Sequence, residues 1–311
     1  MRVLDWGKTR RSFEVVAFDP TGQLVAAGGN YQPTVVWDVP SGAERFRLDD
    51  SAYSLQFHPL DGRLFLSTRS GLQICDPQSG TVSGTVLPGE FYNATAAAFA
   101  PNDDWAVHLN RNEGHPSALQ AAARFGLPDQ SILWETGFGE TADVYGHAFI
   151  LACLPDGCFL SVERAFASPH GQRDRFAVRS RADGRLVHAS PDQIFTSEIQ
   201  VFASPWSDAI VHLQRRRLLV YHRADLANPP RVIQNDRRRD FTGAAFHPSG
   251  RFLATTSTDE TVKLYDTTTW EVARTFTWKV GKMRSVAFSP DGALAAAGSD
   301  TGKVVVWDVD F

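Results

Sequence analysis

The chain has 311 residues, 43% of them hydrophobic and 21% charged, with 31 basic and 35 acidic side chains for a net charge of −4. This apolar content excludes wholesale disorder, and no apolar run approaches the ~20 residues that a membrane helix requires. The 3 cysteines are too few for a disulfide scaffold, and MRVLDWGKTRR at the N-terminus has no apolar stretch of signal-peptide length, so a cytoplasmic protein with free thiols is expected.

Length alone predicts about two domains of ~150 residues, but an internal repeat overturns that reading. Alternating apolar residues, then aromatic-x-Pro, a polar turn and a second apolar run recur along the chain. The copies are VVAFDPTGQLVAAGG (15–29), SLQFHPLDGRLFLS (54–67), TAAAFAPNDDWAVHL (95–109), ILACLPDGCFLSV (150–162), a weaker IQVFASPWSDAIVHL (199–213), GAAFHPSGRFLATT (243–256) and SVAFSPDGALAAAG (285–298). Their prolines, Pro20, Pro59, Pro101, Pro155, Pro205, Pro248 and Pro290, are separated by 39, 42, 54, 50, 43 and 42 residues. A third apolar run follows in each unit: VVWD (35–38), LQICD (72–76), ILWE (132–135), RFAVRS (175–180), LLVYH (218–222), VKLYD (262–266) and VVVWD (304–308). A fourth short run then appears, as in AERFRLD (43–49) and EVARTFTW (271–278). Four short strands joined by tight turns form one antiparallel sheet per repeat, and such sheets bury both faces only against one another.

Trp37-Asp38, Tyr265-Asp266, Trp307-Asp308, SPDG at 289–292 and PSG at 248–250 resemble the WD-repeat (WD40) family. The resemblance covers essentially the whole chain and is sharpest in repeats one, six and seven; KMRSVAFSPDGALAAAGSDTGKVVVWDVD (282–310) looks like bacterial WD-repeat proteins. It implies an all-β fold, a seven-bladed β-propeller of four-stranded antiparallel blades, as a single domain over 1–311. Residues 2–7 are expected to close blade seven as its outer strand, because Arg2 and Trp6 match the spacing of Arg274 and Trp278 in repeat six.

The spacing of 54 between Pro101 and Pro155 marks an insertion at about 111–129 between the second and third strands of blade three. Within it a short helix is predicted over 117–125, capped by Ser117 and ended by Gly126 and Pro128; the rival reading makes this segment the third strand. The family's usual His–Ser/Thr–Asp–Trp network is expected to be largely absent. Asp259 holds its turn position, but Arg69, Arg215 and Thr301 stand at the equivalent places, and Gly146-His147 reads only as the start of blade four.

No catalytic, cofactor-binding or metal-binding constellation stands out. The nine histidines form no ligand pair, there is no phosphate loop or Gly-x-Ser-x-Gly elbow, and nothing selects a triad. Cys153 and Cys158 flank one turn, either as a redox or soft-metal pair or, as the simpler reading, as small apolar fillers. Charge is more telling. Turns between strands one and two and between three and four share one face and are rich in aspartate. Turns between strands two and three, with the links between blades, share the other and carry Arg10, Arg11, Arg215, Arg216, Arg217, Arg237, Arg238, Arg239, Lys279 and Lys282. Arginine's planar fork suits carboxylates and phosphates. The expectation is a monomeric, non-catalytic scaffold that presents this face to a protein or to an acidic or phosphorylated peptide. Solvated loops with local ion pairs to Asp236, Asp240, Asp259 and Glu260 are the plain alternative. An enzyme with a site in the central channel and a nucleic-acid-binding propeller are the rival classes; the second is disfavoured by the lack of aromatics interleaved with the bases.

Overall fold

The apolar runs flanking each aromatic-x-Pro signature are strands. A computed structural model, which describes residues 1–7, 11–68, 71–88, 97–99, 104–109, 121–126, 132–137, 147–154, 156–165, 173–193 and 200–310, sorts them into four-stranded antiparallel sheets. Blade one is Val15–Phe18, Leu24–Gly29, Gln32–Asp38 and Glu44–Leu48. Blade two is Ser54–Phe57, Leu64–Thr68, Gly71–Cys75 and Val82–Pro88. Blade three is Ala97–Phe99, Asp104–Leu109, Ala121–Gly126 and Ile132–Gly137. Blade four is His147–Cys153, Phe159–Ala165, Arg173–Arg179 and Leu186–Ala189. Blade five is Gln200–Ala203, Ala209–Gln214, Arg217–His222 and Arg231–Gln234. Blade six is Phe241–Phe246, Phe252–Ser257, Thr261–Asp266 and Val272–Thr277. The last sheet is Met283–Phe288, Leu294–Ser299 and Lys303–Asp308, and its outer strand is the N-terminal Arg2–Asp5, which pairs Arg2 with Val306 and Leu4 with Val304. The fold is an all-β propeller of four-stranded antiparallel blades.

Leu24–Gly29, a middle strand of blade one, is buried along its whole length, which is why its sequence reads as a continuous apolar run. In Leu24–Gly29, Leu24 and Ala26 pack against Leu64, Leu66 and Cys75 of blade two. Val25 and Ala27, one residue out of phase, pack against Val304 and Val306 on the other side. Inner strands adjoin from blade three through four, five, six and seven to blades one and two. The turns also interlock. Gly292 has a φ of +74°, and a Cβ there would collide with the His247 imidazole of the preceding blade.

Around the rim, arginines of outer strands reach the following blade. Arg2 Nη1 donates to Val39 O at 3.0 Å and Arg231 Nη2 to Thr269 O at 2.8 Å; Arg45 reaches Gln78 and Arg274 reaches the carbonyl of Asp310. The match of Arg2 to Arg274 seen in the sequence is thus one instance of a repeated tether.

Blade three corrects one expectation. Residues 121–126 form its third strand rather than part of a helix over 117–125, and Trp134-Glu135 falls in the fourth strand, not the third. The longer connection between its second and third strands is therefore 110–120, outside the described residues, instead of 111–129. The preference of alanine for helix is worth well under about 1 kcal/mol per residue, and so short a helix is marginal alone. A strand between 104–109 and 132–137 has ladder partners along both edges. Among the described residues no helix is long and apolar enough to cross a membrane.

Candidate functional site

The two arginine triplets fall on adjoining loops of one face. The tight turn between the second and third strands of blade five is Arg215-Arg216, with Gln214 paired to Arg217 across it. The link from blade five to blade six runs over 235–240 and contains a 3₁₀ turn, Asp236–Arg238. Backbone bonds weld the two together: Asn235 N–H donates to Arg216 O at 2.8 Å and Phe241 N–H to Arg215 O at 2.6 Å.

Asn235 organises the link from within. Its side-chain oxygen accepts from Asp236 N–H at 2.9 Å, and its amide donates to Arg239 O at 3.0 Å and to Ser257 Oγ at 3.0 Å. Beneath it lies a buried lysine, Lys263, whose Nζ donates to Asn235 Oδ1 at 3.1 Å and to Asp236 Oδ2 at 2.8 Å. A buried ammonium is tolerable only when so paired. Asp236, though largely exposed, thereby pairs with Lys263, while Asp240 meets Arg216 at 3.6 Å.

The flanking acids therefore neutralise Lys263 and Arg216. Arg215, Arg217, Arg238 and Arg239 remain exposed and form no ion pair among the described residues. The backbone of Arg237 lies in the 3₁₀ turn; its side chain is outside the described set. Lys279 and Lys282 follow on the link from blade six to blade seven, where Lys282 N–H binds Asp300 Oδ1 at 2.9 Å. Arg11 sits on blade one, its Nη1 donating to Tyr31 O at 2.6 Å. Arg10 is outside the described residues.

The aspartates of the opposite face are occupied by turn chemistry. Hydrogen bonds from the Ser41 hydroxyl and N–H hold Asp38 below its ordinary pKa. The backbone N–H of Thr268 does the same for Asp266, and the Ser289 hydroxyl for Asp291. These charges belong to the local fold.

Sequence comparison adds to this geometry. The family model described as "WD domain, G-beta repeat" matches residues 234–266 and 270–308, which are blades six and seven with the Asn235 link. The chain carries WD40 repeats. "Pre-mRNA-processing factor 19 homolog 2" of Arabidopsis thaliana is 31% identical over 78 residues, 25% of this chain and 15% of that protein. "Probable cytosolic iron-sulfur protein assembly protein 1" of Yarrowia lipolytica is 40% identical over 67 residues, 21% of this chain and 20% of that protein. "Protein tipD" of Dictyostelium discoideum is 19% identical over 322 residues, 97% of this chain but 40% of that protein. The matches thus span well under half of these relatives' lengths. All three are eukaryotic, so they lend no weight to the bacterial likeness of 282–310.

The positions of the WD40 network are occupied as follows in blades six and seven. Trp307 Nε1 is buried without a hydrogen bond in the structure, and Thr301 bonds Ser299 Oγ at 3.0 Å. Asp259 turns onto Thr261 N–H at 3.1 Å. In blade six the Asn235–Ser257–Lys263 cluster ties link to sheet instead. Its sequence signal was a lysine two residues before Tyr265 in an otherwise apolar strand. Blade two repeats the device, Gln73 Nε2 donating to Asp50 Oδ2 at 2.9 Å.

Among the described residues no group of three or more His, Cys, Asp or Glu side chains is placed to hold a metal ion. Cys75, Cys153 and Cys158 form no disulfide among the described residues. Burial pushes Cys75 up to about 11 and raises Cys158 as well, which disfavours the thiolate that redox or metal chemistry needs.

Proposed function

We propose that this WD40-repeat chain is a protein-interaction scaffold with no reaction of its own, contacting a protein or an acidic or phosphorylated peptide through its arginine-rich face. The observation that carries the reading is the pairing pattern: the two acids flanking the second triplet, Asp236 and Asp240, pair with Lys263 and Arg216, leaving Arg215, Arg217, Arg238 and Arg239 exposed on two loops locked together. Rigid loops present charge at small entropic cost to the complex. The reading includes Arg10, Arg11, Arg237, Lys279 and Lys282 as outlying members of the same surface, and a single monomeric domain over 1–311 whose seven sheets close into one ring between blades two and three. A cytoplasmic setting accompanies it. Relatives named for pre-mRNA processing and for iron–sulfur protein assembly fit a scaffold better than an enzyme.

Immobilised polyglutamate tests the proposal. The wild type is expected to be retained and released by salt, whereas a variant with Arg215, Arg217, Arg238 and Arg239 all changed to Ala elutes at markedly lower salt with an unchanged melting curve. Co-elution of the two proteins would sink the reading.

A further inference from the structure

We infer that Tyr31, Arg215, Arg238 and Lys279 are the principal contact residues of this face, and that they fit an acidic peptide segment bearing an apolar side chain; the inference rests on the scaffold reading above. All four have left-handed backbone, with φ of 60°, 45°, 56° and 54°. A side chain at such a φ crowds its own carbonyl, a penalty that glycine escapes.

The other end of the propeller shows what folding alone selects. Its left-handed turn positions are glycines, among them Gly22, Gly62, Gly250 and Gly292. The exception there, Trp270 at φ 60°, is 8% exposed and packs in the cluster between blades five and six, so burial offsets its backbone strain. Tyr31 has the same φ but is 86% exposed. Arg215, Arg238 and Lys279 are likewise exposed, with no side-chain hydrogen bond or ion pair among the described residues. A bulky side chain held at such a φ with no bond of its own inside the molecule marks a residue kept for something outside it.

The four side chains lie on one face of four successive blades: Arg215 on blade five, Arg238 on the link into six, Lys279 on the link into seven and Tyr31 on blade one. Arg11 Nη1 donates to the Tyr31 carbonyl and so holds the turn. Three cations on successive blades, followed by an exposed phenol ring on the next, match spaced carboxylates followed by an apolar side chain, since aromatic and arginine residues dominate contact energies. A nucleic-acid strand fits less well. Asp240, Asp259, half-buried left-handed Glu260 and Asp300 interleave with the cations and would repel a backbone charged at every unit. A peptide places its carboxylates selectively.

The experiment uses two fluorescent synthetic peptides of equal charge, one of glutamate and glycine and one of glutamate and leucine, titrated by anisotropy at low salt. The variants are Tyr31→Gly, Arg215→Gly, Arg238→Gly and Lys279→Gly. Each is expected to melt at the wild-type temperature or about 1–3 °C above it. The three cation variants should bind both peptides several-fold more weakly. Tyr31→Gly should bind only the leucine peptide more weakly, by about five- to tenfold. Glycine variants that melt lower would show that the residues serve folding, and variants that bind both peptides like wild type would show exposure without contact. Either result overturns this inference while the polyglutamate test still decides the scaffold reading. If neither peptide binds the wild type, both fail. Displacement of the leucine peptide by oligothymidylate, with Tyr31 required, would replace the peptide by nucleic acid.

Discussion

The N-terminal strand offers a direct measure of how the propeller is held shut. Leu4 is 2% exposed and joins Phe13, Trp37, Val304 and Val306 in the cluster between the last sheet and blade one; Val3, its neighbour, is 40% exposed. Burying a leucine contributes about 2–3 kcal/mol, and truncation to alanine adds the penalty of the cavity left behind, so Leu4→Ala is expected to destabilise by about 3 kcal/mol. That is on the order of a 150-fold shift in the unfolding equilibrium. Val3→Ala removes a similar amount of side chain from the solvent side of the same strand and should cost about 0.5 kcal/mol. Urea titration followed by tryptophan fluorescence reads both variants, because Trp6 and Trp37 flank the site. Leu4→Asp goes further by detaching the strand and baring the Lys303–Asp308 edge, which light scattering would register as self-association. Equal midpoints for Leu4→Ala and Val3→Ala would refute the reasoning, since the strand would then contribute through its backbone alone.

Two further predictions concern the interior. Burial lowers the pKa of His212 from 6.5 to about 4 despite the attraction of Asp174, so the folded state keeps this imidazole neutral. The unfolded chain takes up the proton first; stability should therefore be full above pH 6.5 and fall by about 3 kcal/mol towards pH 4, and denaturation midpoints of His212→Gln should lack that slope. In blade four the fully buried Glu163 is held by two guanidinium groups, Arg179 Nε at 2.7 Å on one oxygen and Arg175 Nε at 2.9 Å on the other. Arg179→Met should cost about 3–5 kcal/mol in a urea titration by stranding part of that charge. Glu163→Leu combined with Arg179→Met should recover much of the loss; if the double variant is no more stable than the single one, the carboxylate is not the source of the penalty.

The strand pattern was legible because its physical cause is local and repeated: a middle strand covered on both faces is largely apolar, and a tight turn favours Asp and Gly. The segment around Ala121–Ala123 misled for the opposite reason. Its composition expresses a weak intrinsic preference, while its conformation is set by partners at 104–109 and 132–137 that are not contiguous with it. The two arginine triplets were also visible, as was their shared face, since topology assigns loops to ends. Whether nearby acids neutralise them was not, because sequence proximity suggested that Asp236 serves the triplet whereas in space it serves Lys263. Tyr31 gave no signal at all. One tyrosine between Asn30 and Gln32 is ordinary until its φ and its exposure are known.

The charge imbalance between the two ends follows from what each kind of turn demands. Many turns after the first and third strands are closed by a carboxylate that accepts backbone N–H groups, as Asp19 accepts from Leu24 N–H at 2.7 Å and Asp76 from Gln78 N–H at 2.7 Å. Acid accumulates there whatever the protein binds, so the aspartates at that end carry little information about partners. The turns after the second strands and the links between blades make no comparable demand; Arg215-Arg216, Asn30-Tyr31 and Asp259-Glu260 occupy equivalent turns with unrelated chemistry. A residue type that the fold does not require, held in a conformation the fold does not favour, is the more specific sign of use. By that reasoning the basic end of the propeller is where substitutions should separate binding from stability, and the acidic end is where they should affect stability alone.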